Sequence, residues 1–162
     1  NHMFKTADIL DDNPEKDIQI LNQKFNFYGK KEVFYGEIFT VSCFEDNSFV
    51  KKSVELDGTG KIMVIDGKAS MNCALLGDML AEKAFKNNWS GVIVNGCIRD
   101  SDIIKDIDIG VLALSTNPQK SEKKDVGEVN IELNFFNTSF IPGHYLYADL
   151  DGLLVSKTKI DI

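Results

Sequence analysis

The stretch Leu75–Asp100, LLGDMLAEKAFKNNWSGVIVNGCIRD, constrains the fold more than any other part of the chain. Leu80, Ala81, Ala84 and Phe85 recur at i, i+1, i+4 and i+5, one apolar stripe at helical period, and Glu82, Lys83 and Lys86 lie off it. Gly77-Asp78 opens this helix. The first N–H groups of a helix have no intrahelical partner, and a glycine there lets a ligand come close. Such an end attracts carboxylate or phosphate. After Asn87-Asn88, the run Gly91-Val-Ile-Val-Asn95 reads as a buried strand, parallel to a first strand over Ile62–Asp66. Strand–helix–strand units of this kind bind ligands beyond the carboxyl ends of their strands. The Gly77-Asp78 turn and Arg99-Asp100 both fall at that edge.

Twenty residues, 79 to 98, separate Asp78 from Arg99. One helix and one return strand bring the two ends together. The result is two carboxylates, one guanidinium and a helix N-terminus in one place. Carboxylate oxygens suit Mg²⁺ or Mn²⁺, and arginine suits a planar carboxylate or enolate. The set can hold a divalent cation and a small keto acid. The same spacing also fits a helix-start aspartate and a surface ion pair, and short motifs alone do not separate the two readings.

The chain has 162 residues, enough for one domain with a proper core. Its net charge of −7, from 18 Lys+Arg against 25 Asp+Glu, argues against direct nucleic-acid binding by phosphate neutralisation. The only local basic cluster, Lys120, Lys123 and Lys124, is interrupted by Glu122 and Asp125. Three cysteines, Cys43, Cys73 and Cys97, have no CxxC spacing, which fits reduced thiols in the cytoplasm. Cys43 and Cys97 read as small core residues, with a reactive Cys97 thiol the lesser alternative. No apolar run reaches the ~20 residues of a membrane span. Asn1-His2 reads as a tag remnant, leaving 3–162 as a single domain. His144 is then the one native histidine, too few for a histidine-rich zinc site.

Elsewhere, Thr6 is expected to cap a short helix ending near Asp12, and Ile18–Phe27 to form a strand or extended arm. Val33–Phe44 alternates as a strand, and Glu45-Asp46-Asn47 caps a helix from Ser48 to about Leu56. Met71, Ala74 and Leu75 fit a short helical turn, and Trp89 a buttress for the strand at Gly91. Ser101–Ile107 reads as one or two helical turns, with Asp106 and Asp108 solvated, and Gly110–Leu114 as a strand. Residues 115–127 form a polar loop whose lysines can draw in an anion, or are simply solvated. Glu128–Phe135 alternates as a one-faced strand, and Asp151-Gly152 turns a hairpin between Tyr145–Asp149 and Leu153–Val155. Asp149 and Asp151 are metal ligands by composition alone, and turn residues by the commoner explanation. One-faced strands with two or three helices make an α/β domain.

Gly77-Asp78-Met79-Leu80-Ala81-Glu82 followed by Gly91-Val-Ile-Val-Asn-Gly-Cys-Ile-Arg-Asp100 resembles one known family. That family joins the regulator of ribonuclease E activity A (RraA) to 4-hydroxy-4-methyl-2-oxoglutarate aldolase. The resemblance continues through Asp108-Ile-Gly110, Gly127-Glu128, Pro142-Gly143 and Tyr147–Ser156, and Val41–Asn47 is similar to the regulator branch. It implies a three-layer β/β/α sandwich like the swivelling phosphohistidine domain, and a homotrimer. It also implies a metal-dependent lyase acting through a pyruvate enolate, on 4-hydroxy-4-methyl-2-oxoglutarate or by decarboxylating oxaloacetate. In that reading Asp100 anchors Mg²⁺ or Mn²⁺, partly through water, and Arg99 stabilises the enolate oxygen. Backbone N–H groups of Gly77, Asp78, Met79 and Leu80 hold the substrate carboxylate, and Asp78 orients a water. The alternative is a non-catalytic inhibitor that binds ribonuclease E and so lowers RNA turnover without touching RNA. An intact Arg99-Asp100 pair favours the enzyme, and the Cys43–Asn47 segment the regulator.

Overall fold

The computed structural model describes residues 4–22 and 24–162. Asn1, His2, Met3 and Gln23 lie outside the described residues, and with them the reading of Asn1-His2 as a tag remnant. In chain order the elements are α1 (Thr6–Asp12), β1 (Ile18–Ile20), β2 (Asn26–Phe27), β3 (Phe34–Ser42) and α2 (Ser48–Ser53). There follow β4 (Lys61–Asp66), β5 (Ala74–Leu76), α3 (Asp78–Lys86), β6 (Gly91–Ile98), α4 (Ser101–Ile104) and β7 (Gly110–Thr116). The chain ends with β8 (Glu128–Val129), β9 (Leu133–Phe135), β10 (Thr138–Phe140), β11 (Tyr145–Asp149) and β12 (Gly152–Ser156).

Parallel pairing makes the middle of the main sheet. β3, β4, β6 and β7 are neighbours in that order, and β11, β12 and β1 continue the sheet from β3 with antiparallel pairing. The strands that read as continuous β-branched runs, β4 and β6, are buried on both faces, as central parallel strands must be. One face carries Met63, Ile65, Val92, Val94, Val111 and Ala113 against α2, α3 and α4. The other carries Ile62, Val64, Ile93 and Leu112 against Leu146, Ala148, Leu153 and Val155 of β11–β12 and Leu133 and Phe140 of the β9–β10 hairpin. Helices, parallel sheet and second β-layer are therefore stacked in the β/β/α order expected.

Four local readings are corrected. Met71–Leu76 contains no helical turn: Ala74–Leu76 is strand β5, which pairs with Cys97 and Ile98 where β4 has ended. Glu128–Phe135 is two strands, because Asn130 at φ 59° breaks the alternation, so that β8 pairs with β3 and β9 with β10. The apolar stripe on α3 is narrower than the sequence implies: Ala81 and Ala84 are buried, Leu80 is half-buried and Phe85 is 41% exposed. Thr6 is the first residue of α1 and its cap comes from elsewhere, since Asp149 accepts from Thr6 N–H and Oγ1–H, both at 2.7 Å. Asp149 also accepts from Asp151 N–H at 3.0 Å, so it is a turn residue and helix anchor with its oxygens taken.

Candidate active site

β5 delivers the site. Because β5 takes over from β4 beside the end of β6, Gly77 leaves its strand next to Arg99, and Arg99 N–H donates to Leu76 O at 2.9 Å. The turn into α3 and the turn into α4 thus begin side by side at the carboxyl edge of the parallel strands. Asp100 follows Arg99 in the left-handed region, φ 61° and ψ 38°, and there it caps α4, its carbonyl accepting from Ile103 and Ile104 N–H. That bend turns its carboxylate back over α3. Oδ2 of Asp100 accepts from Asp78 N–H at 3.0 Å, and Arg99 Nε stands 4.0 Å from the same oxygen.

Gly77 makes this fit possible. Its φ of −123° is open to any residue, so the reason for glycine is space. A Cβ there would meet Asp100 Oδ2 at 2.8 Å and Arg99 Cγ and Nε at 3.5 Å. The sequence reading gave the close approach to a ligand; in the structure it is the chain's own carboxylate that comes close. Two of the N–H groups expected to hold a substrate are likewise engaged: Asp78 N–H by Asp100, and Met79 N–H by Asp78 Oδ1 at 2.9 Å.

Asp78, Arg99 and Asp100 share one cavity of about 190 Å³ with Gly77, Met79 and Leu80. All six sequence candidates therefore meet in one place. Asp78, Gly77, Leu80, Arg99 and Asp100 are half-buried and Met79 is 80% exposed. Arg99 Nη1 also reaches Pro118 O at 3.4 Å, which ties the polar loop to the site. Among the described residues no cluster of three or more His, Cys, Asp or Glu side chains is poised to take a metal. The local ligand atoms are hard oxygens, and among the described residues no hydrogen-bond donor reaches Asp100 Oδ1 or Asp78 Oδ2. One or two carboxylates with water completing the shell is the way Mg²⁺ is usually held, so these residues fit such a cation.

Of the opposite wall, the sequence reading had only the loop lysines, as cations that can draw in an anion or are simply solvated. That wall comes from Asn47 and Lys51 at the start of α2 and from Lys120, Ser121 and Lys123 of the polar loop. Lys124, which the sequence groups with Lys120 and Lys123, pairs instead with Glu122 at 3.2 Å. The loop is held by Asp46, which accepts from Lys124 N–H at 2.8 Å and Val126 N–H at 3.2 Å while capping α2 through Ser48. Asp46 is 4% exposed. Burial by itself would raise its pKa, but the Ser48, Lys124 and Val126 donors outweigh it and hold the carboxyl at about 2. The cysteines take no visible part. Cys43, Cys73 and Cys97 are buried, and burial pushes all three thiols up, Cys43 to about 12. Trp89 is buried against Phe39 and donates to Leu56 O at 3.1 Å, a core residue as expected.

Residues 6–155 match the RraA-like family, described as Aldolase/RraA. A protein of Acinetobacter baylyi named "Putative 4-hydroxy-4-methyl-2-oxoglutarate aldolase" is 50% identical, the match spanning 97% of this chain and 95% of that one. One of the same name from Pseudomonas fluorescens is 48% identical over 99% and 97%. The RNA-processing inhibitor RraA from Thermus thermophilis superposes with a TM-score of 0.92 at 36% identity, over 99% of this chain and 96% of that one. A Geobacillus kaustophilus structure named as an S-adenosylmethionine:2-dimethylmenaquinone methyltransferase gives 0.93 at 42% identity, over 96% of each. This chain belongs to the RraA-like, Aldolase/RraA family.

Proposed function

We propose that the protein is a divalent-metal-dependent carbon–carbon lyase that acts on a short 2-keto acid. The substrates in view are 4-hydroxy-4-methyl-2-oxoglutarate and oxaloacetate. The observation that carries this reading is the junction of Asp100, Arg99 and the N-terminus of α3 around one small cavity. The names of the half-identical relatives support it.

Asp100, through Oδ1 and bridging water, would hold Mg²⁺ or Mn²⁺. Such a cation supplies Lewis-acid polarisation of a keto oxygen. The remaining work falls to this chain's residues. The substrate carboxylate takes the place of the Asp78 side chain at Met79 N–H, beside Leu80 N–H and the positive end of α3. Arg99 lies where charge develops on the keto oxygen and stabilises it there. The bond between C3 and C4 breaks, and its electron pair passes into the keto group to give a pyruvate enolate. In decarboxylation CO₂ leaves. In aldol cleavage the C4 hydroxyl gives its proton to the water held at Asp78, and C4 leaves as a ketone. Asp78, freed from Met79 N–H, holds the water that returns a proton to the enolate carbon. The test is oxaloacetate decarboxylation with and without EDTA. Turnover that EDTA abolishes and added Mg²⁺ or Mn²⁺ restores supports the reading, and no turnover under any of these conditions removes it.

A second reading is inhibition of a ribonuclease by protein contact, favoured by the likeness to the Thermus inhibitor. Phe44 and Glu45 of the regulator-like segment lie on the surface, Phe44 59% exposed, where a partner can reach them. With a net charge of −7, contact with protein is more natural than contact with RNA. A pull-down with ribonuclease E beside a gel shift with single-stranded RNA separates the two. The assembly we propose is a homotrimer in the cytoplasm, for which light scattering would give three times the 18.1 kDa chain mass.

A further inference from the structure

Beside the catalytic cavity lies a larger, open one of about 730 Å³ that the mechanism does not use. It runs between the β3–α2 turn, the segment before β5 and the polar loop, and Lys120 and Ser121 line both cavities. Two large apolar side chains stand in water along this groove, Phe44 at 59% exposed and Val126 at 64%. A single apolar side chain on a surface needs no explanation, but two that line one groove mark a contact face.

The walls of the groove are tied to each other. Glu45 takes the left-handed conformation, φ 56°, in the turn that presents Phe44, and its carbonyl accepts from Glu122 N–H of the polar loop at 3.2 Å. Asp46, the next residue, accepts from Lys124 and Val126 N–H. Phe44 and Val126 therefore stand on two strands of chain joined through consecutive residues. A surface already in place loses little entropy when a partner lands on it.

Charge selects the kind of partner. Of the groove's carboxylates, Glu122 pairs with Lys124 at 3.2 Å and Asp46 is saturated by its four donors. Glu45 differs. Ser70 Oγ–H and Asn72 Nδ2–H both donate to its Oε2, at 2.5 and 2.8 Å, and among the described residues no donor reaches Oε1. The same two donors hold its carboxyl below the ordinary carboxylate range, so it is charged at neutral pH. A fixed carboxylate with one oxygen to spare, next to an exposed aromatic ring, suits a guanidinium or ammonium group that bonds the one and lies over the other. The phosphates of RNA would instead meet the carboxylates of Glu45 and Glu122.

We infer that this groove docks a protein segment that presents an arginine or lysine beside a large apolar side chain. The cation meets Glu45 Oε1 and the Phe44 ring, and the apolar group lies between Phe44 and Val126. The inference rests on the inhibitor reading above, to which it adds a docking site and a chemical class of partner segment.

The experiment titrates the ¹⁵N-labelled protein with a short peptide of Arg-Ser-Leu repeats, with the same peptide carrying Glu for Arg, and with single-stranded RNA. The arginine peptide should shift the amide signals of Phe44, Glu45 and residues 119–126. Glu45→Gln should weaken its binding about fivefold, the size of one exposed ion pair. Phe44→Ser should weaken it about tenfold, through lost apolar and cation–π contact. The spectra of the free variants report that the fold is kept. No shift in the groove, equal shifts with the glutamate peptide, or stronger shifts there with RNA overturn the inference. Retention of ribonuclease E on the immobilised wild type tests the inhibitor reading separately. If nothing is retained, that reading fails and the peptide titration still decides the groove. Retention that neither variant weakens places the contact elsewhere and overturns the inference.

Discussion

Oδ2 of Asp100 accepts the backbone N–H of Asp78 at 3.0 Å, across twenty-two positions of sequence. Asp100 thereby closes the N-terminus of α3 with its carboxylate and the start of α4 with its carbonyl, and among the described residues no donor reaches its second carboxylate oxygen. The sequence reading has Asp100 as a metal anchor or as half of a surface ion pair, and in neither case as a cap. Its structural duty decides which substitution can test the chemistry.

Alanine is a poor choice at Asp100. It would remove the cap of α3 and place a residue with no local hydrogen bond at φ 61°, each worth about 1 kcal/mol or more. Asparagine tolerates the left-handed region and can still accept from Asp78 N–H. Asp100→Asn should therefore keep the melting temperature within a few degrees and lower metal-stimulated oxaloacetate turnover about 100-fold or more. Turnover near that of the wild type in a folded Asp100→Asn protein would remove Asp100 from the metal site.

Gly77→Ala should be folded and poorly active. The added methyl meets Asp100 Oδ2 at 2.8 Å, and the short aspartate side chain has little room to retreat without giving up Asp78 N–H. Loss of that cap costs about 1 kcal/mol in urea unfolding. A carboxylate displaced by about 1 Å costs about 100-fold in turnover. Full activity would mean that the Asp100 position is not critical.

The three cysteines should resist alkylation in the native protein. Burial raises each thiol, Cys43 to about 12, and reactivity follows the thiolate. Cys97 also packs with its Sγ 3.5 Å from Met71 Sδ. Mass spectrometry after iodoacetamide at pH 8 should find no label without urea and three labels with it. Rapid single labelling at Cys97 would restore the reactive-thiol alternative.

The α3–β6 unit was legible because its signals are local and periodic. β-Branched runs gave β4 and β6, and glycine with aspartate gave the helix start. The meeting of Gly77-Asp78 with Arg99-Asp100 followed, since a helix and a return strand leave little freedom in where the two turns lie, while Met79 and Leu80 entered through the family resemblance. What failed was decided by tertiary contacts. Met71, Ala74 and Leu75 have helical spacing, yet Ala74–Leu76 is drawn into strand by the free edge of β6 beyond β4. Thr6 looks like a cap, yet its donors are taken by Asp149 from the far end of the chain. Lys51 carries no signal at all. It is one of two adjacent lysines on a short helix, and only packing of α2 beside β5 turns it towards the cavity while Lys52 turns to Asp125.

Asp46 provides the pH test. Four donors hold its carboxylate: Ser48 N–H and Oγ–H on Oδ1, and the N–H groups of Lys124 and Val126 on Oδ2. The folded pKa, about 2, lies below the ordinary value of 3.8. A carboxyl depressed on folding contributes stability that is complete above its unfolded pKa and is lost as pH falls through the folded one. The contribution is therefore full at pH 6 and declines from about pH 4 towards pH 2. Asp46→Asn turns an amide donor, or a weaker neutral acceptor, towards the same N–H groups, and should cost about 2 kcal/mol at pH 6. The gap between wild type and variant should shrink as the wild type is acidified, because protonated Asp46 also accepts weakly. Loop 121–127 carries Lys123 and Lys124 and depends on these bonds, so its amide exchange should quicken in Asp46→Asn at pH 6. Oxaloacetate turnover should fall with it through a raised KM. A difference in urea stability between the two proteins that stays constant from pH 6 to pH 2 would show that the Asp46 charge does not hold the loop.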